Sequence, residues 1–179
     1  MNYEIDKQNF YSSKEKIDNL LNQIELFYKY VDKTALSVII IDSKETEEYI
    51  VEKIKSFEKR FQIYDMLKLN LKELNSLFKS KSLCIINIKD FLKNNDIDRV
   101  KFYSGINIIR DSVFLKENSR FIMLFDYEEY SIFKNIADDL NDYCHIFDFN
   151  TLFYNKDGLN IIDYNFEKNV KSYVKNNME

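Results

Sequence analysis

Apolar residues recur every three or four positions between Tyr11 and Lys33: Ile17, Leu20, Leu21, Ile24, Phe27, Tyr28 and Val31. That spacing lines one face of an α-helix. "YSSKE" places a serine cap before it, with Glu15 in the first turn. The pattern then changes. "ALSVIII", Ala35 to Ile41, is apolar at nearly every position, which suits a strand covered on both faces. A second helical stripe follows from about Ser43 to Arg60, burying Ile50, Ile54 and Phe57, with Ser43 as its cap.

The alternation repeats along the chain. "FQIYDMLKL" reads as a strand, "LKELNSLFKS" as a short helix and "SLCIINI", Ser82 to Ile88, as a buried strand. A helix is predicted from about Ile97 to Leu115, with Phe102, Ile106, Ile109 and Val113 on one face. "RFIMLFD" is a strand, "YEEYSIFKNIADDLNDY" a helix and "CHIFDF" a last short strand. After it, "NKDG" at Asn155 to Gly158 signals a turn, followed by an apolar "LNII" and a charged end that is compatible with a helix.

Strands that alternate with helices of this length predict an α/β fold: a mostly parallel central sheet with helices on both faces. We expect three parts: a helical N-terminal extension (residues 1–34), the α/β core (35–149), and a C-terminal tail (150–179) holding a short hairpin, a helix or both. Neither the extension nor the tail belongs to the minimal sheet pattern, so both are candidate docking elements.

Composition narrows the function classes. The chain has 179 residues, of which 45% are apolar and 31% charged, as in a globular domain. No apolar run approaches a membrane span, and the charged start "MNYEIDKQNF" does not read as a signal peptide. A cytoplasmic setting with no membrane partner is therefore the expectation. The net charge of −4 is spread along the chain without a basic block, so a nucleic-acid partner is not expected. Cys84 and Cys144 lie in apolar runs and read as reduced core thiols. No Cys/His cluster marks a metal site, and no cofactor is expected.

In parallel sheets, ligands sit at the carboxyl ends of the strands. Those ends carry Asp42-Ser43-Lys44, Asn87 to Asp90, Asp126 to Glu128, and Asp148 to Asn150. A phosphate loop needs glycines, so that successive N–H groups can turn inward, and an adjacent Lys-Ser/Thr pair. "DSKET" has neither. The whole chain has two glycines, Gly105 and Gly158. Asn87 stands where a metal-binding acid would be expected, and a neutral amide is a poor substitute. The same amide leaves a receiver-type phosphoryl transfer without an acceptor. His145, the one histidine, lies in an apolar strand and reads as structural. The acidic pairs Glu47-Glu48, Glu128-Glu129 and Asp138-Asp139 read as solvated helix faces. No catalytic residue emerges, and the chain is not expected to be an enzyme.

Residues 104–149 carry a more specific pattern. Ile106, Asn107, Arg110, Asp111 and Phe114 follow an L-N-x-x-R-D-x-L-like helix motif. Phe121 to Phe125 form the strand after it, Ala137 and Asp139 a helix end of A-x-D type, and Phe147-Asp148-Phe149 a closing F-[DE]-F strand. This segment resembles bacterial STAND-type P-loop NTPase relatives; residues 35–103 fit the preceding part in order only. The resemblance implies a P-loop NTPase-like scaffold and a setting in signalling or anti-phage defence. Because the phosphate loop is missing, it implies a degenerate, inactive member.

Asn107, Arg110 and Asp111 share one helix face, where Arg110 offers a five-donor fork. They form either a clamp within the fold or a contact to a phosphate or partner carboxylate. The candidate partner- or nucleotide-binding residues are therefore Asn107, Arg110, Asp111, Asp42, Ser43 and Lys44. The expected function is protein binding by an adaptor or regulator, with an operon-encoded or host protein as partner and homo-oligomerisation open. The alternatives are a nucleotide sensor that binds without hydrolysis, and an enzyme built on convergent carboxylates.

Overall fold

A computed structural model of the protein describes residues 2–31, 34–57, 62–63, 70–78, 83–113 and 120–152. The first helix, α1 (Asn2–Tyr30), leads into strand β1 (Ala35–Ile40) and helix α2 (Lys44–Phe57). Strand β2 (Gln62–Ile63), helix α3 (Leu71–Phe78) and strand β3 (Leu83–Asn87) follow. Helices α4 (Ile88–Asn94) and α5 (Arg99–Val113) precede strand β4 (Arg120–Phe125). Helices α6 (Tyr127–Ile136) and α7 (Asp138–Asp142), strand β5 (His145–Asp148) and a 3-10 turn (Asn150–Leu152) complete the described chain.

All strand pairs are parallel, in the order β2-β3-β4-β1-β5. The expected α/β class and parallel sheet are therefore present, in a form consistent with an α/β P-loop-like fold. Right-handed crossovers explain which helix goes where. Only the β1-to-β2 connection runs toward the β2 edge; every later step runs the other way. Helix α2 accordingly joins α1 on one face, and α3 to α7 cover the other.

Side-chain alternation in β1 serves both layers. Leu36, Val38 and Ile40 enter the cluster under α4–α7, and Ala35 and Ile39 the cluster under α1 and α2. Ser37 is the one polar residue of this buried strand. It lies 2.8 Å from the Tyr28 hydroxyl of α1, which also donates to the Phe121 carbonyl at 2.9 Å. Burial pushes the Tyr28 phenol well above its ordinary pKa, so it stays a neutral donor.

Several boundaries differ from expectation. Helix α1 begins at Asn2, well before "YSSKE", so that stretch lies within the helix rather than at its start. Its stripe of Ile17, Leu20, Leu21, Ile24 and Tyr28 is buried in the α1–α2 core layer. Strand β3 ends one residue early because the Asn87 side chain accepts the Asp90 N–H and starts α4, a helix the apolar run "CIINI" concealed. The single helix expected over residues 127–143 breaks at Ala137, whose backbone leaves the helical region. The "NKDG" turn and "LNII" lie outside the described residues.

Candidate functional site

The strand order reverses direction between β4 and β1. Their chain continuations leave toward opposite faces of the sheet, which in such folds opens a crevice for ligands at the strand ends. Here hydrogen bonds tie the strand ends together. The ladder runs past the strands: Ile41 N–H donates to the Phe125 carbonyl (2.8 Å) and Phe149 N–H to the Ile40 carbonyl (3.0 Å). Asp42 comes next. Its Oδ1 accepts the Tyr127 N–H at the start of α6, and its Oδ2 accepts Nδ2 of Asn150, both at 2.9 Å. Asn150 returns its Oδ1 to the Asp42 N–H at 2.9 Å. The Asn150 N–H donates to Asp148 Oδ1. One carboxylate thus ties the ends of β1, β4 and β5.

Ser43 and Lys44 lead away from this clamp. The Ser43 hydroxyl faces the Thr46 N–H (3.4 Å) and the Thr46 hydroxyl (3.2 Å), as a cap for α2. Lys44 is exposed and reaches Glu48 at 4.0 Å along the outside of the same helix. Glu45 and Glu47 occupy the first turn of α2. They already compensate the positive helix end that a phosphate would use, and would repel one.

Asn87 sits beside this edge with 6% exposure. Its Nδ2 donates to Glu47 Oε1 and Asp90 Oδ2, both at 2.9 Å. Burial raises the Glu47 pKa, against the pull of Lys89 and the Asn87 amide, while Asp90 adds to the rise. Lys89 stands 3.7 Å from Asp126, whose other oxygen caps α6 through the Glu129 N–H. The Asn87 amide is therefore a bridge between carboxylates and a helix cap. Among the described residues no group of three or more His, Cys, Asp or Glu side chains has metal-binding geometry.

The α5 residues lie elsewhere, against α7. Asn107 Oδ1 accepts the Leu140 N–H at 2.8 Å, supplying the cap that Ala137 cannot. Arg110 Nη2 lies 3.4 Å from Asp139, and Nη1 donates to the Asn107 carbonyl. Asp111 is exposed and only 3.8 Å from Arg110 Nε. The six candidate residues thus fall into two separate places, one at the switch point and one on the α5–α7 contact.

Sequence reasoning misplaced Glu129. It is not on a solvated face but buried, with 3% exposure. The Tyr103 hydroxyl donates to it at 2.6 Å, and Arg99 lies at 3.5 Å. Glu128 beside it is exposed, as expected. Burial, then the Glu129 bond, hold the Tyr103 phenol far above its ordinary pKa, so it remains a donor. A polar-looking "YEEY" hides this, because only the helix phase says which Glu turns inward. His145 packs against Phe27 with tilted rings whose centroids are 4.2 Å apart, and burial lowers its pKa. Cys84 is buried and Cys144 partly buried, and burial pushes the Cys144 thiol up to about 12.

No protein-family model, curated protein or solved structure matches the chain. Among the described residues no helix is long and apolar enough to cross a membrane.

Proposed function

We propose that this chain is a non-catalytic, P-loop NTPase-like domain that works as a protein-binding adaptor or regulator. The setting we favour is prokaryotic defence or signalling, by the likeness of residues 104–149 to STAND-type relatives. The observation that carries the reading is the Asp42–Asn150–Tyr127 clamp. It ties together the strand ends at which such folds bind ligands, and it uses both Asp42 oxygens for the fold. What remains at that edge is a surface. The ring of Tyr127, 63% exposed, stands on it directly beside the clamp. A broad ring with a polar tip is a frequent anchor in protein interfaces.

Calorimetric titration of the full chain with ATP, GTP and ADP, each with Mg²⁺, tests the reading, together with a phosphate-release assay. The expected result is no saturable heat at millimolar nucleotide and no release above buffer. Turnover, or saturable binding abolished by Asp42→Ala, would overturn it.

A further inference from the structure

Helix α5 presents a partly exposed face on the side away from the core. Phe102, Tyr103 and Ile106 point into the core. On the opposite side Val100, Ser104 and Ile108 form an i, i+4, i+8 ridge, with Lys101 and Gly105 alongside. Ile108 is 77% exposed and Val100 57%. Gly105 is the only glycine in a described helix, at an interior position where glycine is the least favourable ordinary residue. A Cβ added there would meet no atom within 4 Å, so no close approach in the described structure requires the gap. The face therefore holds an apolar knob and, one turn back, a dip.

We propose that this face binds a second copy of the same chain, α5 against α5, antiparallel about a two-fold axis. Such an interface is self-complementary: what one helix offers, the other must accept. Ile108 of each copy enters the dip over Gly105 of the other, in the manner of ridges packing into grooves. The charges agree with this direction. The first turn of α5 carries exposed Lys101, and the last turn carries exposed Asp111 and the negative helix end. Antiparallel pairing sets each first turn against the other copy's last turn. Lys101 pairs at home with exposed Asp98 at 3.7 Å, and exposed Asp111 lies 3.8 Å from the largely buried Arg110, both at long distance. Such pairs give way easily. Arg99 and Arg110 are turned to Glu129 and Asp139 and do not spoil the complementarity. One helix pair is a small interface, so the dimer is weak and reversible.

This inference rests on reading the chain as a protein-binding module, and it names the partner and the surface. Sedimentation equilibrium of the full chain, from micromolar to millimolar concentration, tests it. The wild type should show a monomer–dimer equilibrium. Ile108→Lys should raise the dissociation constant at least about tenfold. Gly105→Leu should fill the dip and abolish the dimer while raising the monomer's Tm, since leucine favours the helix and its Cβ meets no atom within 4 Å. That variant cannot lose the dimer by misfolding without lowering its Tm. Lys101→Asp should weaken the dimer, and adding Asp111→Lys should restore it. A wild type that stays monomeric throughout, or one whose dimer survives both Ile108→Lys and Gly105→Leu, overturns the inference. A monomer that neither binds nor turns over nucleotide sinks only this interface. Nucleotide turnover by a dimer sensitive to Ile108→Lys sinks only the non-catalytic reading.

Discussion

Replacing Asn150 with Ala removes one side of the clamp and leaves Asp42 in place. Two hydrogen bonds are lost, one to the Asp42 N–H and one from Nδ2 to the Asp42 carboxylate, each 2.9 Å. A neutral bond contributes about 1 kcal/mol and a charge-assisted one about 1.5–3 kcal/mol. Asp42 is exposed, so water rehydrates its carboxylate and N–H once the amide is gone. The low end applies, and the expected loss is about 2 kcal/mol. For a chain of this size that corresponds to a fall in Tm of about 4–8 °C. Urea unfolding followed by circular dichroism measures it, with the midpoint falling and the slope unchanged. Asp42→Ala and the double variant complete a cycle, in which a coupling of about 1 kcal/mol is expected for side chains in direct contact. Asn150→Asp sharpens the test, because it sets a second carboxylate against Asp42 and should relax on acidification. A loss below about 0.5 kcal/mol for Asn150→Ala, with no coupling, would refute the clamp.

The remaining predictions concern the other buried polar groups. Tyr103→Phe keeps the ring against Phe102 and Phe133 but removes the 2.6 Å bond to buried Glu129; equilibrium unfolding should show a loss of about 2 kcal/mol, moderated by Arg99. Asn107→Ala should cost about 1 kcal/mol through the lost α7 cap, and amide exchange at Leu140 should quicken more than at Ile122 in β4. The folded-state pKa of His145 lies below its ordinary 6.5, so the unfolded chain takes up its proton first. The stability contributed by neutral His145 is thus complete above 6.5 and lost as pH falls through that value toward the folded pKa. His145→Phe should flatten the stability profile between about pH 7.5 and 5.

How much was legible in the sequence follows from what the physics makes periodic. Buried parallel strands announce themselves as runs, so "ALSVIII" and "RFIMLF" were placed within a residue or two. The stripe of α1 named its own buried face. Polar cooperation has no period. Asp42 and Asn150 are 108 positions apart and meet only because β5 lies beside β1. Asn107 reads as a candidate ligand residue in a motif, and the fold uses it to cap a helix 33 positions on. The short helix α4 does not show in the sequence because Ile88 continues the apolar run of β3 until Asn87 turns the chain.

The bonded strand ends also account for the shortness of the turn between β1 and α2. A phosphate loop must stand off the sheet, so that its N–H groups face an anion rather than a neighbouring strand. Here the ladder consumes the backbone as far as Ile41, and the Asp42 N–H goes to Asn150. Ser43 then caps α2 at once. Every donor a phosphate would seek from Ile41 and Asp42 is already spoken for within the protein. Restoring glycines to "DSKET" would therefore not create a nucleotide site by itself, because the Asp42–Asn150 pair would still tie the strand ends together. Opening the crevice requires breaking that pair, whose expected contribution of about 2 kcal/mol a bound nucleotide would have to offset.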